Sequence, residues 1–257
     1  MTRRRFYAPP AAFGPSNESV CLSVEESRHL REVLRLKAGD EAYVFDGEGA
    51  EYRCVVADAG RGLSGPARLD VRERVAPARA ESPLRLRLAV ALLKGDKFDL
   101  VVQKATELGV ARIVPVATTR ASVRLRDAGD ATRRLQRWQR LAIEAAKQSG
   151  RARVPALCAP VSFTGLMEEL SPAAEARCLI FAERGGRRLS ETIAAWRARP
   201  AELTALVGPE GGWEDGEIMQ ATAAGCEAVT LGGRILRAET AAIVITALLQ
   251  YRLGDLN

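Results

Sequence analysis

Two strand–loop–helix repeats form the clearest hydrophobic pattern near the carboxyl end of the chain. Short apolar runs at 203–207 and 228–231 predict buried strands. A glycine-containing loop follows each run, at 208–212 and 232–237, and each loop leads into a helical pattern. Parallel strands would place both loops at one edge of a sheet, where open α/β sheets bind ligands. The alternative is that the glycines only turn the chain.

The same alternation of strands and helices extends back to residue 84. Apolar runs at 85–93, 110–116 and 179–182 predict strands, while periodic patterns at 97–108 and 131–149 predict helices. This alternation indicates an α/β domain with a parallel sheet. A later helical segment, 241–249, is nearly all apolar, so either domain packing or a dimer contact should cover it.

The amino-terminal third has a different pattern. Several short alternating segments and one helix, which starts at the Ser23–Glu26 capping box, predict a small β-barrel or β-rich module. Residues 76–83 are rich in proline, alanine and charge. We therefore predict a β-barrel domain at 1–75, a linker at 76–83 and an α/β domain at 84–257.

Composition narrows the class of protein. The chain has 257 residues, of which 27% are charged and 47% hydrophobic, as expected for a soluble globular protein. It has no apolar run of about 18 residues and no apolar segment behind its basic start, so we predict a cytoplasmic location. Five scattered cysteines and a single histidine, His29, argue against a metal site and against a disulfide framework.

The positive charge is concentrated in the middle of the chain. Net charge is zero over 1–75, +10 over 76–160 and −4 over 161–257. Most of the excess is arginine, which suits phosphate groups and base stacking. The imbalance favours a polyanionic partner, with a solvated arginine-rich face as the alternative.

The two glycine loops carry different chemistry. The loop at 208–212 matches no common phosphate-binding motif, and Glu210 within it would repel a phosphate. A neutral or cationic ligand fits this loop better, unless Glu210 only caps a nearby helix. After the second loop, Arg237 and Glu239 could pair with each other, or one could orient a substrate while the other handles a proton.

Several blocks of the sequence resemble one known family. They are KGDKFDLVVQKATELGV at 94–110, TTRASVRL at 118–125, RWQRLAIEAAKQSGRARVP at 137–155, LVGPEGGWEDGEI at 206–218 and LGGRILRAETAAI at 231–243. With VLRLKAGD at 33–40, they are similar to the RsmE family of 16S ribosomal RNA uridine-N3 methyltransferases, in the SPOUT superfamily. The resemblance covers essentially the whole chain.

The resemblance implies a fold and a cofactor. The amino-terminal domain would be a PUA-like barrel, and the α/β domain would end in a trefoil knot, forming a homodimer. The knot loops would bind S-adenosyl-L-methionine through Phe181, Glu183, Val207, Gly208, Pro209, Glu210, Gly211, Gly212, Leu231, Gly232, Ile235, Leu236, Arg237, Thr240 and Ala241.

The resemblance also implies methyl transfer to N3 of a uridine in 16S ribosomal RNA of the small subunit. Arg237 would stabilise negative charge on the uracil, and Glu239 would act as base or orient Arg237. RNA contacts would come from Arg3, Arg4, Arg5, Arg31, Arg35, Lys94, Arg120, Arg124, Gln148, Arg151 and Arg153. The alternatives are a SPOUT methyltransferase for another RNA or atom, and a non-catalytic RNA-binding protein of the same fold.

Overall fold

The computed structural model describes residues 3–60, 65–124, 126–170 and 176–256. Packing divides the chain into two compact units. The first contains Met1–Glu81 and Ile143–Val154, and the second contains Ser82–Ala142 and Pro155–Asn257. The first unit is thus built from two separate stretches of chain. The sequence pattern indicated only the first of these stretches, and the predicted limits of the linker stay a prediction.

The first unit is rich in β-structure, as predicted. Its five-stranded sheet has the order β1-β3-β4-β5-β2, with β1 parallel to β3 and the other pairs antiparallel. The strands are β1 (Arg5–Tyr7), β2 (Ser19–Cys21), β3 (Glu41–Phe45), β4 (Glu51–Asp58) and β5 (Arg68–Val75). Helix α1 (Val24–Arg28) continues into a π-helical turn, His29–Val33.

Local hydrogen bonds explain where the elements of this unit begin. The Ser23 hydroxyl accepts from the Glu26 amide at 3.2 Å and caps α1, which is one half of the predicted capping box, while the Glu26 carboxylate binds Lys147. The Asp46 carboxylate accepts from the amides of residues 48, 49 and 50, which closes the turn between β3 and β4. Alternate strand residues, including Phe6, Val44 and Leu69, are fully buried and form the core of the unit.

The second unit is an α/β domain with an all-parallel sheet, as predicted. The sheet order is β11-β13-β10-β12-β6-β7-β8, and β9 also pairs with β7. Its strands are β6 (Arg85–Ala91), β7 (Arg112–Ala117), β8 (Ala156–Leu157), β9 (Val161–Ser162), β10 (Ala176–Phe181), β11 (Arg187–Arg188), β12 (Glu202–Val207) and β13 (Glu227–Thr230). The helices that follow β6 in the chain are α2 (Lys97–Glu107), α3 (Ala128–Ser149), α4 (Phe163–Glu169), α5 (Leu189–Ala194), α6 (Asp215–Ala223) and α7 (Ala238–Leu253). The last part of α3, from Ile143, belongs to the first unit.

Helix α2 packs through the apolar face that its sequence predicts. Its apolar residues at helical spacing, Phe98, Val101, Val102 and Ala105, are all buried. Gly109 follows with φ of +83°, a conformation that favours glycine just beyond a helix end. The helix packs against α7, in which Ala242, Ile245 and Leu249 are among the buried residues. Domain packing therefore covers much of α7, which is one of the two explanations that its sequence allowed.

The cysteines require one correction. Cys178 in β10 and Cys226 just before β13 form a disulfide, although their sequence positions gave no sign of pairing. The cause is topological, because β10 and β13 are neighbouring strands and Leu179 pairs with Glu227. Across the described residues there is no cluster of three metal-binding side chains, and no helix is long and apolar enough to cross a membrane.

Candidate active site

Three strands of the second unit end together at one edge of the sheet. Phe181, the last residue of β10, pairs with Val207, the last residue of β12. On its other side Phe181 pairs with Val229, one residue before β13 ends. Both glycine loops therefore lie at the same edge of the sheet, as predicted, but they are not adjacent, because the end of β10 lies between β12 and β13. This edge is where a parallel α/β sheet offers a binding crevice.

A cavity of about 760 Å³ lies at this edge. All of the predicted cofactor-contacting residues line it except Thr240, which is the third residue of α7. The volume lies within the range of about 300–1,000 Å³ typical of small-molecule sites. Residues that the sequence analysis did not assign to the cofactor also line the cavity: Arg120, Ala182, Arg184, Trp213, Asp215, Ile218, Gly233, Arg234, Ala238 and Ile245.

Trp213 fixes the first glycine loop in place. Its indole N–H donates to the carbonyl of Phe181 at 2.9 Å, which joins the end of β10 to the loop after β12. The indole also lies against Gly208, where an added Cβ would come within 3.1 Å of the ring. The side chain of Arg120 reaches the same loop from another segment and donates to the carbonyl of Trp213 at 3.2 Å. The loop is therefore held from several sides before any ligand arrives.

Glu210 projects from this loop to an ammonium group on α2. Lys97 Nζ lies 2.7 Å from Glu210 Oε1 and 3.8 Å from Glu239 Oε2. Lys97 reaches Glu210 because β6, the strand that leads to α2, is the neighbour of β12 in the sheet. Among the described residues Glu210 caps no nearby helix, because Asp96, Glu214 and Arg237 hold the N-cap positions of α2, α6 and α7. Helix α6 is capped instead by a box formed by Glu214 and Glu217.

The second glycine loop is much more open. Ile235 is 76% exposed, and Arg237 is exposed at the N-cap position of α7, where it lines the cavity. Glu239 is buried in the first turn of that helix and is only 8% exposed. Within the described part of the chain, no ion pair joins Arg237 to Glu239, so the structural pairing that the sequence allowed is absent. Arg237 faces the cavity while Glu239 faces Lys97.

Most of the predicted RNA-contacting side chains are exposed. The exposed members are Arg4, Arg35, Lys94, Arg120, Arg124, Gln148 and Arg153. Arg3 is half-buried and donates to Glu51, while Arg31 donates to the carbonyls of Ala59 and Gly65. Leu125, the last residue of one resemblance block, lies outside the described residues.

Arg5 and Arg151, which were predicted to contact RNA, are buried. Arg5 is 7% exposed, and its guanidinium binds the Glu51 carboxylate and the carbonyls of Ala146, Lys147 and Arg151. Arg151 is 4% exposed and forms an ion pair with Glu81 at 2.6 Å. Both guanidinium groups are therefore used inside the first unit and have little surface to offer to a phosphate.

Sequence reasoning overlooked two residues that organise the site. Trp213 stands inside a block that supported the family resemblance, yet nothing in its spacing indicated that it would join two loops. Lys97 is the first residue of a helix that follows a parallel strand. That position should have indicated a place at the ligand-binding edge, but its carboxylate partners depend on the strand order.

Comparisons with known proteins agree with this geometry. Residues 80–250 match the family model described as an RNA methyltransferase domain, and residues 22–63 match an RNA methyltransferase PUA domain. The ribosomal RNA small subunit methyltransferase E of Synechocystis is 35% identical over 89% of this chain and 72% of its own length. The protein of that name from Mycobacterium bovis is 34% identical over 86% of this chain and 81% of its own.

Solved structures agree over the full length of the chain. A ribosomal RNA small subunit methyltransferase E from Neisseria gonorrhoeae, bound to S-adenosyl methionine, superposes with a TM-score of 0.84 at 33% identity. A Legionella pneumophila protein in complex with SAM superposes with a TM-score of 0.86 at 30% identity. Both comparisons cover 100% of both chains. The chain therefore belongs to the ribosomal RNA small subunit methyltransferase E family of RNA methyltransferases.

Proposed function

We propose that this protein transfers the methyl group of S-adenosylmethionine to N3 of one uridine in the 16S RNA of the small ribosomal subunit. The observation that carries the proposal is the cavity at the ends of β10, β12 and β13. It is lined by both glycine loops, in a chain that superposes over its full length on a relative bound to S-adenosyl methionine. The cytoplasm is the proposed location, because ribosomal subunits are found there.

The cavity has the features that this cofactor requires. S-adenosylmethionine supplies a methyl group activated on a positively charged sulfur. The Glu210 carboxylate offers a favourable charge to such a cation, and the glycine backbone at 208, 211 and 212 lets a ligand approach N–H and C=O groups closely. Phe181, Leu231 and Ile245 provide apolar surface for a flat ring system.

Arg237, which lines the cavity at the start of α7, is the side chain proposed to act on the uracil. N3 of uridine carries a proton, and its release to solvent water places negative charge on the neighbouring carbonyl oxygens before N3 takes the methyl group from the sulfonium, which leaves as the neutral sulfide. A guanidinium at the exposed rim of the cavity can stabilise that charge by donating hydrogen bonds. Since Glu239 is buried beside Lys97 and does not line the cavity, its proposed role is to organise the site rather than to accept the proton.

The RNA would be held by the remaining exposed cationic groups and would present an unpaired uridine. N3 lies on the Watson–Crick edge, so the target base must be single-stranded or flipped out of a helix. Contacts to phosphates would fix the register, and they should weaken steeply with added salt. Arg120 is of special interest because it is exposed and also contacts the first glycine loop.

A homodimer and a trefoil knot complete the proposal. The exposed side of α7 carries Leu248, which is 37% exposed, and Tyr251, which is 54% exposed, one helical turn apart. Leu100 on the neighbouring helix α2 is also exposed. Apolar side chains of this kind suit a contact with a second copy of the chain. The trefoil knot is proposed from the family resemblance of the sequence blocks at 206–218 and 231–243.

A substrate comparison tests the proposed function. Purified protein and S-adenosylmethionine are incubated with small subunits, with free 16S RNA and with transfer RNA, and the methylated nucleoside is identified by mass spectrometry. We expect N3-methyluridine in the ribosomal RNA. Methylation of transfer RNA alone, or of another atom, would favour a different RNA methyltransferase. Failure to bind S-adenosylmethionine in calorimetry at millimolar ligand would favour a non-catalytic RNA-binding protein.

A further inference from the structure

Lys97 lies between two carboxylates from different parts of the site. Its Nζ is 2.7 Å from Glu210, on the loop after β12, and 3.8 Å from Glu239, in the first turn of α7. The two carboxylates are 113 and 142 residues away in sequence. The ammonium group therefore connects the first glycine loop to the helix that begins at the second one.

The surroundings make this ammonium hard to replace. Glu239 is 92% buried, and its Oε2 has no hydrogen-bond donor among the described residues, so the nearby positive charge compensates it. The hydrogen bond from Lys97 lowers the pKa of Glu210, and the same bond raises the pKa of Lys97. Lys94 acts on Glu210 and Arg237 acts on Lys97 through their positive charges.

We propose that Lys97 is a positioning residue that holds the Glu210 loop and the start of α7, with Arg237, in the arrangement that binds the cofactor. Lys97 itself does not line the cavity, so it acts through the two carboxylates. This inference rests on the proposed function, because it assumes that the cavity binds S-adenosylmethionine.

Without the ammonium, two carboxylates of like charge would face each other, one of them buried. Repulsion would move the Glu210 loop away from α7 until the buried Glu239 carboxyl takes up a proton, which removes the repulsion and leaves Glu210 charged. Protonation becomes easier as the pH falls, so a variant lacking the ammonium should regain cofactor affinity at lower pH. A residue that only filled space would not produce this pH dependence.

The chain offers a conservative variant and a matched control. Lys97→Met removes the charge and keeps the length of the side chain, while Lys97→Arg keeps the charge. Lys104→Met is the control, since Lys104 lies on the same helix and forms an ion pair of 2.8 Å with Glu107, away from the cavity. Thermal unfolding of each full-length variant checks that it is folded.

Calorimetry with S-adenosylmethionine tests the inference. At pH 8 we expect Lys97→Met to bind at least about tenfold more weakly than the wild type, Lys97→Arg within about threefold, and Lys104→Met unchanged. At pH 5.5 the loss in Lys97→Met should shrink. In the double variant Lys97→Met/Glu239→Gln, part of the affinity should return, because the uncompensated buried charge is gone.

Two results would overturn the inference and leave the proposed function intact. One is wild-type affinity in Lys97→Met while the wild type binds the cofactor. The other is a loss in the double variant that equals or exceeds the product of the losses measured in the single variants Lys97→Met and Glu239→Gln. A wild-type protein that binds no S-adenosylmethionine would overturn the proposed function and this inference with it.

Discussion

The two glycine loops follow the same type of strand in the same sheet, yet they differ in how they are held. Three side chains fix the loop at 208–212. Trp213 donates to the carbonyl of Phe181, Arg120 donates to the carbonyl of Trp213, and Lys97 donates to the Glu210 carboxylate. In the loop at 232–237, the described contacts are local: a 3.5 Å bond from the Gly232 amide to Thr230 and the first helical bond of α7. Ile235 at its tip is largely exposed.

This difference indicates that the two loops have different roles in binding. A loop fixed by its neighbours is preorganised, so it can bind a ligand without first losing conformational entropy. A loop held mainly at its ends can adjust when a large substrate arrives. We infer that the first loop is preorganised for the cofactor, and that the second loop, which lines the same cavity, adjusts further when RNA binds.

The largest expected effect is the loss of methyl transfer in Arg237→Ala. If Arg237 stabilises charge on the uracil, the rate should fall about 100- to 1,000-fold, while the affinity for S-adenosylmethionine changes little. Single-turnover transfer to small subunits and calorimetry provide the two measurements. Arg252→Ala, in the last turn of the same helix, is the control and should keep full rate. A full rate in Arg237→Ala would remove Arg237 from the mechanism.

Next in size is Gly208→Ala, which tests how tightly the first loop is packed. The new methyl group would lie 3.1 Å from the indole of Trp213, so the free energy of unfolding should fall by about 1–3 kcal/mol. Cofactor affinity should fall as well, because the ring also sets the position of Phe181. Urea unfolding and calorimetry measure both quantities.

The control for that variant is Gly216→Ala. Gly216 lies in α6 with nothing within 4 Å of an added Cβ, so the substitution should leave stability unchanged or raise it by up to about 1 kcal/mol. Equal unfolding free energies for the two variants would contradict tight packing of Trp213 on the first loop.

Lowering the pH should weaken cofactor binding through Glu210. The hydrogen bond from Lys97 lowers the pKa of this carboxyl below its ordinary value of 4.5. Glu210 therefore stays charged from pH 8 to about pH 5, and its contribution is lost as the pH falls through the lowered pKa. Calorimetry should give a flat affinity above about pH 5 and a decline below it. If the affinity of Glu210→Gln still declined below about pH 5, a group other than Glu210 would be responsible for the decline.

The smallest effect is expected in the second loop. Gly233→Ala meets no atom within 4 Å, so the free energy of unfolding should change by less than about 0.5 kcal/mol. If the variant lost methyl transfer at unchanged stability, the substitution would be acting on how the second loop contacts the substrate. If Gly233→Ala lost as much stability as Gly208→Ala, the second loop would be as tightly packed as the first, which would contradict the comparison.

The sequence was sufficient for elements whose cause is local. The apolar runs before Gly208 and Gly232 placed both loops at one sheet edge, because parallel strands leave few alternatives. The face of α2 followed from the spacing of Phe98, Val101 and Val102. The absence of a phosphate motif and the presence of Glu210 correctly directed attention to the first loop as part of a cavity.

The sequence was insufficient where partners depend on strand order. Lys97 meets Glu210 only because β6 lies beside β12, and Cys178 meets Cys226 only because β10 lies beside β13. Arg5 reads as a surface cation from its basic neighbours. It is buried because the end of α3 presents carbonyl groups to it within the first unit. Pairings between distant segments of this kind leave no periodic trace in the sequence.

The central claim is tested most directly by a map of modified bases in ribosomal RNA. Small subunits from a strain that lacks this protein are analysed before and after treatment with the purified protein and S-adenosylmethionine. We predict that one uridine of the 16S RNA gains a methyl group at N3, and that Arg237→Ala does not restore it. An unchanged map, or a methyl group on a different base, would contradict the proposed function.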